Sequence, residues 1–151
     1  MLNLSLNLAV VFAVVVGCSL ASQAGVNSQL RTALHSPIQA AFISFLIGTI
    51  VLGIIALWRN EPWFSGQSMA AIPWWAWLGG FLGAFNIAMS IYLAPKLGAL
   101  VLAVAIVCGQ VLASLFYDHH GLLGYPKIDL SVTRVIGAVC IVVGVVLVSK
   151  K

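Results

Sequence analysis

Long uncharged stretches broken at a few polar points set the pattern of the chain. Apolar residues dominate 6–30, 38–58, 72–93, 99–117 and 132–148, each close to the roughly 20 residues a helix needs to cross the hydrocarbon core of a bilayer. Runs such as Val142 to Val148 lack the alternation that marks membrane β-strands, so five transmembrane helices in a single domain, 1–151, are expected. Arg31 and the Ser36-Pro37 step end the first span, since Pro biases the residue before it away from helix. Arg59, Asn60, Glu61 and Pro62 close the second. Ala94, Pro95, Lys96, Leu97 and Gly98 form a very short turn, which sets the third and fourth spans antiparallel. A loop from Asp118 through Gly121, Gly124, Pro126 and Asp129 leads to the fifth.

The first substantial loop, 59–71, carries Pro62, Trp63, Phe64 and Gly66, and Trp74, Trp75 and Trp77 follow it at the start of the third span. Indole rings favour the headgroup level, so this cluster marks a membrane boundary.

Composition strengthens the membrane reading. Of 151 residues, 62% are hydrophobic and 7% charged, against about 45–50% and about 25% in soluble domains. A soluble enzyme, a nucleic-acid binder and a disordered tail are excluded despite the net charge of +4. Cys18, Cys108 and Cys140 each sit inside an apolar run, which reads as buried inert thiols rather than a disulfide framework. Met1 to Cys18 has no basic segment ahead of its apolar stretch, so the first segment is expected to be retained as a helix.

An odd number of spans puts the termini on opposite sides of the membrane. Arg59, Lys127 and Arg134 fall on one side, and Arg31, Lys96, Lys150 and Lys151 on the other. Orientation follows the Lys/Arg bias of short loops, and a four-to-three division scarcely biases it. Insertion in both orientations is one expectation; a fixed orientation set by a few residues such as Lys150 and Lys151 is the other.

Helices in lipid associate through small residues that let backbones approach. Ala13, Gly17, Ala21 and Gly25 form a stripe on the first span; Gly79 and Gly83 form a Gly-x-x-x-Gly pair on the third; Ser44 with Gly48, and Gly137 with Gly144, repeat the theme. These positions are expected to serve helix packing within the protomer or a dimer contact. Polar side chains inside the spans need a partner or a wet cavity. Ser19, Gln23 and Asn27 share one face of the first helix, Asn86 lies mid-span in the third and Gln110 mid-span in the fourth. Asn86 and Gln110 bring amide donors and acceptors to about the midplane, and a cluster of uncharged amides suits a polar, neutral or zwitterionic small molecule; the competing reading is that these amides hydrogen-bond across helices.

No carboxylate lies mid-span. Asp118 is the remaining candidate for a proton carrier, with a loop-spanning ion pair to Arg134 as its structural alternative. The adjacent His119 and His120 have no third ligand at metal-binding spacing, and no nucleophile elbow or phosphate loop is present. Neither an enzyme nor a metal or other cofactor is expected.

Gln-x-Gly-x-Asn at 23–27, Pro-Trp-Trp-x-Trp-x-Gly-Gly at 73–80, Pro-x-Leu-Gly-Ala at 95–99 and Gly-Gln at 109–110, with Asp118 and Gly121, together resemble the YdcZ-like family of the drug/metabolite transporter superfamily over essentially the whole chain. The resemblance implies an all-α secondary transporter in the bacterial inner membrane. It also implies that the chain is one half of a ten-helix inverted repeat, with a site at the midplane where two oppositely inserted copies meet. The expected partners are thus a second copy, membrane lipid and a small-molecule substrate, with no nucleic acid. The chain is similar in scale to the small multidrug resistance proteins, but it lacks their first-helix glutamate. A membrane subunit that assembles with or regulates another helical protein is the alternative to a transporter.

Overall fold

The computed structural model describes residues 6–60 and 72–150. From residue 61 onward, the loop expected at 59–71 lies outside the described residues, including Pro62, Trp63, Phe64 and Gly66. Four long apolar helices account for nearly everything else: α1 (Leu6–Leu34), α2 (Pro37–Trp58), α3 (Leu78–His120) and α4 (Val132–Ser149), with a short 3-10 helix at Trp74–Trp77. Each long helix lies in a stretch apolar enough and long enough to cross a membrane. In hydrocarbon, every backbone N–H and C=O must be paired internally, which makes helix the conformation open to such sequences.

Local chemistry sets the boundaries. α1 continues through Arg31 to Leu34, past the expected end at Leu30, and Thr32 stays in the helix with its hydroxyl donating to Ser28 O at 3.1 Å. His35 then turns into the left-handed region at φ 54°. Ser36 caps α2 by accepting from Gln39 N at 3.3 Å, and Pro37 opens the helix where no N–H is required. Asn60, with φ 51°, donates to Leu57 O at 3.1 Å beyond the far end. Ser131 caps α4 through Arg134 N at 3.3 Å.

α3 spans 43 residues, which at about 1.5 Å per residue is about twice the depth of a hydrocarbon core. It is two helices met at Gly98, whose φ 75° and ψ 163° are open essentially to glycine alone. The turn expected over 94–98 is thus confined to one residue. Pro95, three residues earlier, withholds the N–H that Ile91 O would accept in a regular helix. The arms 78–97 and 99–120 are each about 30 Å long.

The chain divides here into two compact units, one ending at Lys96 and one beginning at Leu97. In the first, Ala40 and Ala41 of α2 meet Ala88 and Ile91 of α3, with Leu30, Leu34 and Ile87 packed against them. Alanines at the centre let the helices approach closely, and Ile91, fully buried, fills the space between them. Gly83 adds a second close approach, since a Cβ there would lie 3.4 Å from the Phe45 ring. In the second unit, the arm 99–120 and α4 carry the buried Leu102 and Ala138. Most other large apolar side chains are exposed, Val26 at 68% and Phe42 at 66% among them, as expected where lipid is the solvent.

Candidate functional site

The polar residues of α1 divide into two kinds. Ser22 donates to Cys18 O at 2.9 Å, and Thr32 to Ser28 O, so both hydroxyls are satisfied within their own helix. Ser19, Gln23 and Asn27 follow one another at successive turns. Ser19 and Gln23 are exposed. Asn27 is 5% exposed, and its Nδ2 has no hydrogen-bond partner. A buried donor left unmade costs about 1–3 kcal/mol, and in a membrane no bulk water is at hand to relieve it.

Asn86, on the first arm of α3, is exposed, and its Oδ1 accepts from the Ser90 hydroxyl at 3.4 Å, long for such a bond. Ser90 is itself 8% exposed. No hydrogen bond joins Ser19, Gln23, Asn27 and Asn86 to one another among the described residues. Gln110, in the second unit, is exposed halfway along its arm.

The candidate residues differ in their position along their own helices. The midpoint of α1 falls close to Ser19, which puts Asn27 about 10 Å toward the Arg31 end. Asn86 and Gln110 lie within about 3 Å of the middle of their respective arms. The small-residue stripe of α1 is unpacked: a Cβ on Gly17 or Gly25 would meet nothing within 4 Å, and Ala21 is exposed. Of the Gly79 and Gly83 pair, only Gly83 approaches another helix.

The second unit holds a denser polar cluster. Arg134 Nη2 donates to Asp118 Oδ2 at 2.6 Å, across the loop between the two helices. Asp118 also accepts at its main-chain oxygen from Ile128 N at 2.7 Å, which folds the loop back onto the end of α3. Gly121 sits in this turn at φ 63°, and a Cβ there would press on Lys127 Cβ at 3.3 Å. His120 Nδ1 donates to Phe116 O at 2.9 Å, one turn back along the same helix. His119 stands edge-on to it, with ring centroids 4.9 Å apart. His119 Nδ1 and Arg134 Nη1 are buried without partners. No group of three metal-ligating side chains occurs among the described residues, and the three cysteines are free.

The chain is thus a set of apolar helices with an unpaired amide in one helix and a charged pair closing a loop. The family described as "Putative inner membrane exporter, YdcZ" matches residues 8–147. The chain belongs to the YdcZ family. No curated protein and no solved structure matches.

As a YdcZ-family member, the chain is an integral inner-membrane protein of a transporter class rather than an enzyme class. Three features of this YdcZ chain escape a reading of the sequence alone. Ser90 is buried four residues after Asn86, a spacing that would have flagged it as a partner. Tyr92 accepts from Lys96 Nζ at 2.6 Å, again at a separation of four. The orphaned His119 Nδ1 and Arg134 Nη1 left no signal, because burial of single atoms depends on packing.

Proposed function

We propose that the chain is a five-span half-transporter. Two copies, inserted in opposite orientations, form a ten-helix inverted repeat and move a small polar or amphipathic metabolite or drug by alternating access. Membership of an exporter family supports a transport role. The Gly98 break supports reading α3 as two spans of about 30 Å each. The four-to-three division of basic residues supports insertion both ways, and the unpacked α1 stripe of Gly17, Ala21 and Gly25 leaves a face on which another helix can close.

The observation that carries the reading is Asn27. An amide buried in a membrane helix with an unused donor destabilises the resting protein, and a ligand offering an acceptor removes that cost. In this reading Asn27, Gln23 and Ser19 of α1, with Asn86 of the same unit, contact the substrate or gate its path, and Gln110 is a separate candidate within the second unit. Uncharged amides favour a neutral or zwitterionic molecule.

The test is Asn27→Leu in purified protein, with thermal unfolding followed against a panel of amines, amino acids, sugars and quaternary cations. The substitution should raise the melting temperature in the absence of ligand and abolish the shift given by the ligand that stabilises the unmodified chain. If it lowers the melting temperature instead, the amide is helix glue and the substrate assignment fails.

A further inference from the structure

Three donors, Arg31, Tyr92 and Lys96, stand at the same end of the first unit, with Arg31 near enough to act electrostatically on Tyr92. Arg31 lies in the last turn of α1, and Tyr92 and Lys96 end the first arm of α3. Leu30 and Leu34 of α1 pack on the cluster that contains Ile91 of α3. The neighbouring residues Arg31 and Tyr92 therefore emerge from the same end of a packed pair. Lys96 Nζ donates to the Tyr92 hydroxyl at 2.6 Å and stands 3.9 Å from the ring centroid. This arrangement leaves the phenolic proton free to donate outward. The Arg31 guanidinium has no hydrogen-bond acceptor among the described residues, and no carboxylate occurs among the described residues of this unit.

Helix C-termini account for one cation at each of these ends. They do not account for a phenol whose oxygen accepts from an ammonium, within electrostatic range of a guanidinium, with the remaining N–H and O–H groups of all three lacking an acceptor among the described residues. Tyrosine, lysine and arginine together, at the point where two membrane helices end, match the chemistry of a tetrahedral oxyanion bound at the membrane surface.

We propose that Arg31, Tyr92 and Lys96 form a binding site for a phosphate-bearing anion. Arg31 makes paired contacts to two of its oxygens, and the Tyr92 hydroxyl and Lys96 ammonium hold a third. This site is separate from the amide face around Asn27 and stands whether or not that face binds substrate. Two sources present the same chemistry, the headgroup of an acidic phospholipid and a free phosphorylated solute.

The experiment is thermal unfolding of the full chain in neutral detergent, titrated with phosphatidylglycerol, with phosphatidylcholine, and with inorganic phosphate or glycerol 3-phosphate against chloride of equal ionic strength. Phosphatidylglycerol active and the solutes inactive identifies a lipid site; solutes active identifies a solute site. In either case half-maximal stabilisation should need about 30-fold more ligand in the double variant Arg31→Gln/Lys96→Gln, while Lys150→Gln leaves it unchanged. Tyr92→Phe, which keeps the ring and the fold, should weaken binding severalfold and decides the matter should the double variant not fold. Equal stabilisation of the unmodified chain and both variants, or none by any phosphate-bearing ligand, overturns the proposal.

Discussion

Gly98 shows how much a single residue decides. Its φ 75° and ψ 163° lie in a region that any residue with a Cβ enters only at a cost of about 1–3 kcal/mol. No neighbour lies within 4 Å of the position a Cβ would take, so the penalty of Gly98→Ala belongs to the backbone alone. Unfolding in detergent should show a loss of stability of that size, unaffected by trimming surrounding side chains. Asp118 decides the state of Arg134 in the same way. The pair is neither deeply buried nor free in water, with side-chain exposures of 18% and 35%, and Asp118→Asn should therefore cost about 1–2 kcal/mol, between the values for exposed and buried pairs. Exchanging the two charges, Asp118→Arg with Arg134→Asp, should recover part of that loss in the same unfolding measurement.

At the scale of elements, the packing of α1, α2 and the first arm of α3 rests on very small contacts. Ala40 is fully buried, so Ala40→Leu has to displace a neighbouring helix and should destabilise by about 1–3 kcal/mol. Ile91→Ala removes the one large side chain in the same cluster that is wholly buried and should cost about 2–4 kcal/mol through the cavity it leaves. The break at Ser36-Pro37 is legible because its cause is local: proline disfavours helix at the residue before it, and in the structure the same serine caps the helix that follows. The end of α1 is not legible, since whether Thr32 terminates the helix or bonds back to Ser28 O is a close local competition. The candidate site was legible in residue type and face but not in rank. Helical periodicity puts Ser19, Gln23 and Asn27 on one face alike, and only tertiary neighbours leave the first two exposed and bury the third.

For the molecule as a whole, the proposed dual insertion makes the sharpest demand. Arg31 and Arg59 flank α2 at opposite ends, so cysteines introduced at Thr32 and Asn60 in a background lacking Cys18, Cys108 and Cys140 report the two membrane faces. In intact cells, a membrane-impermeant maleimide should label each position in a fraction of the molecules, and the fractions should be complementary. Labelling at one position alone would leave a single fixed orientation. The Asp118 and Arg134 pair also bears on how the chain enters the membrane during synthesis. An aspartate at the end of one helix and an arginine at the start of the next, joined by a loop that folds back through Ile128 N, cancel each other's charge before either must face lipid alone. The two helices of this unit are thereby suited to leave the insertion machinery together, as one hairpin delivered in a single step.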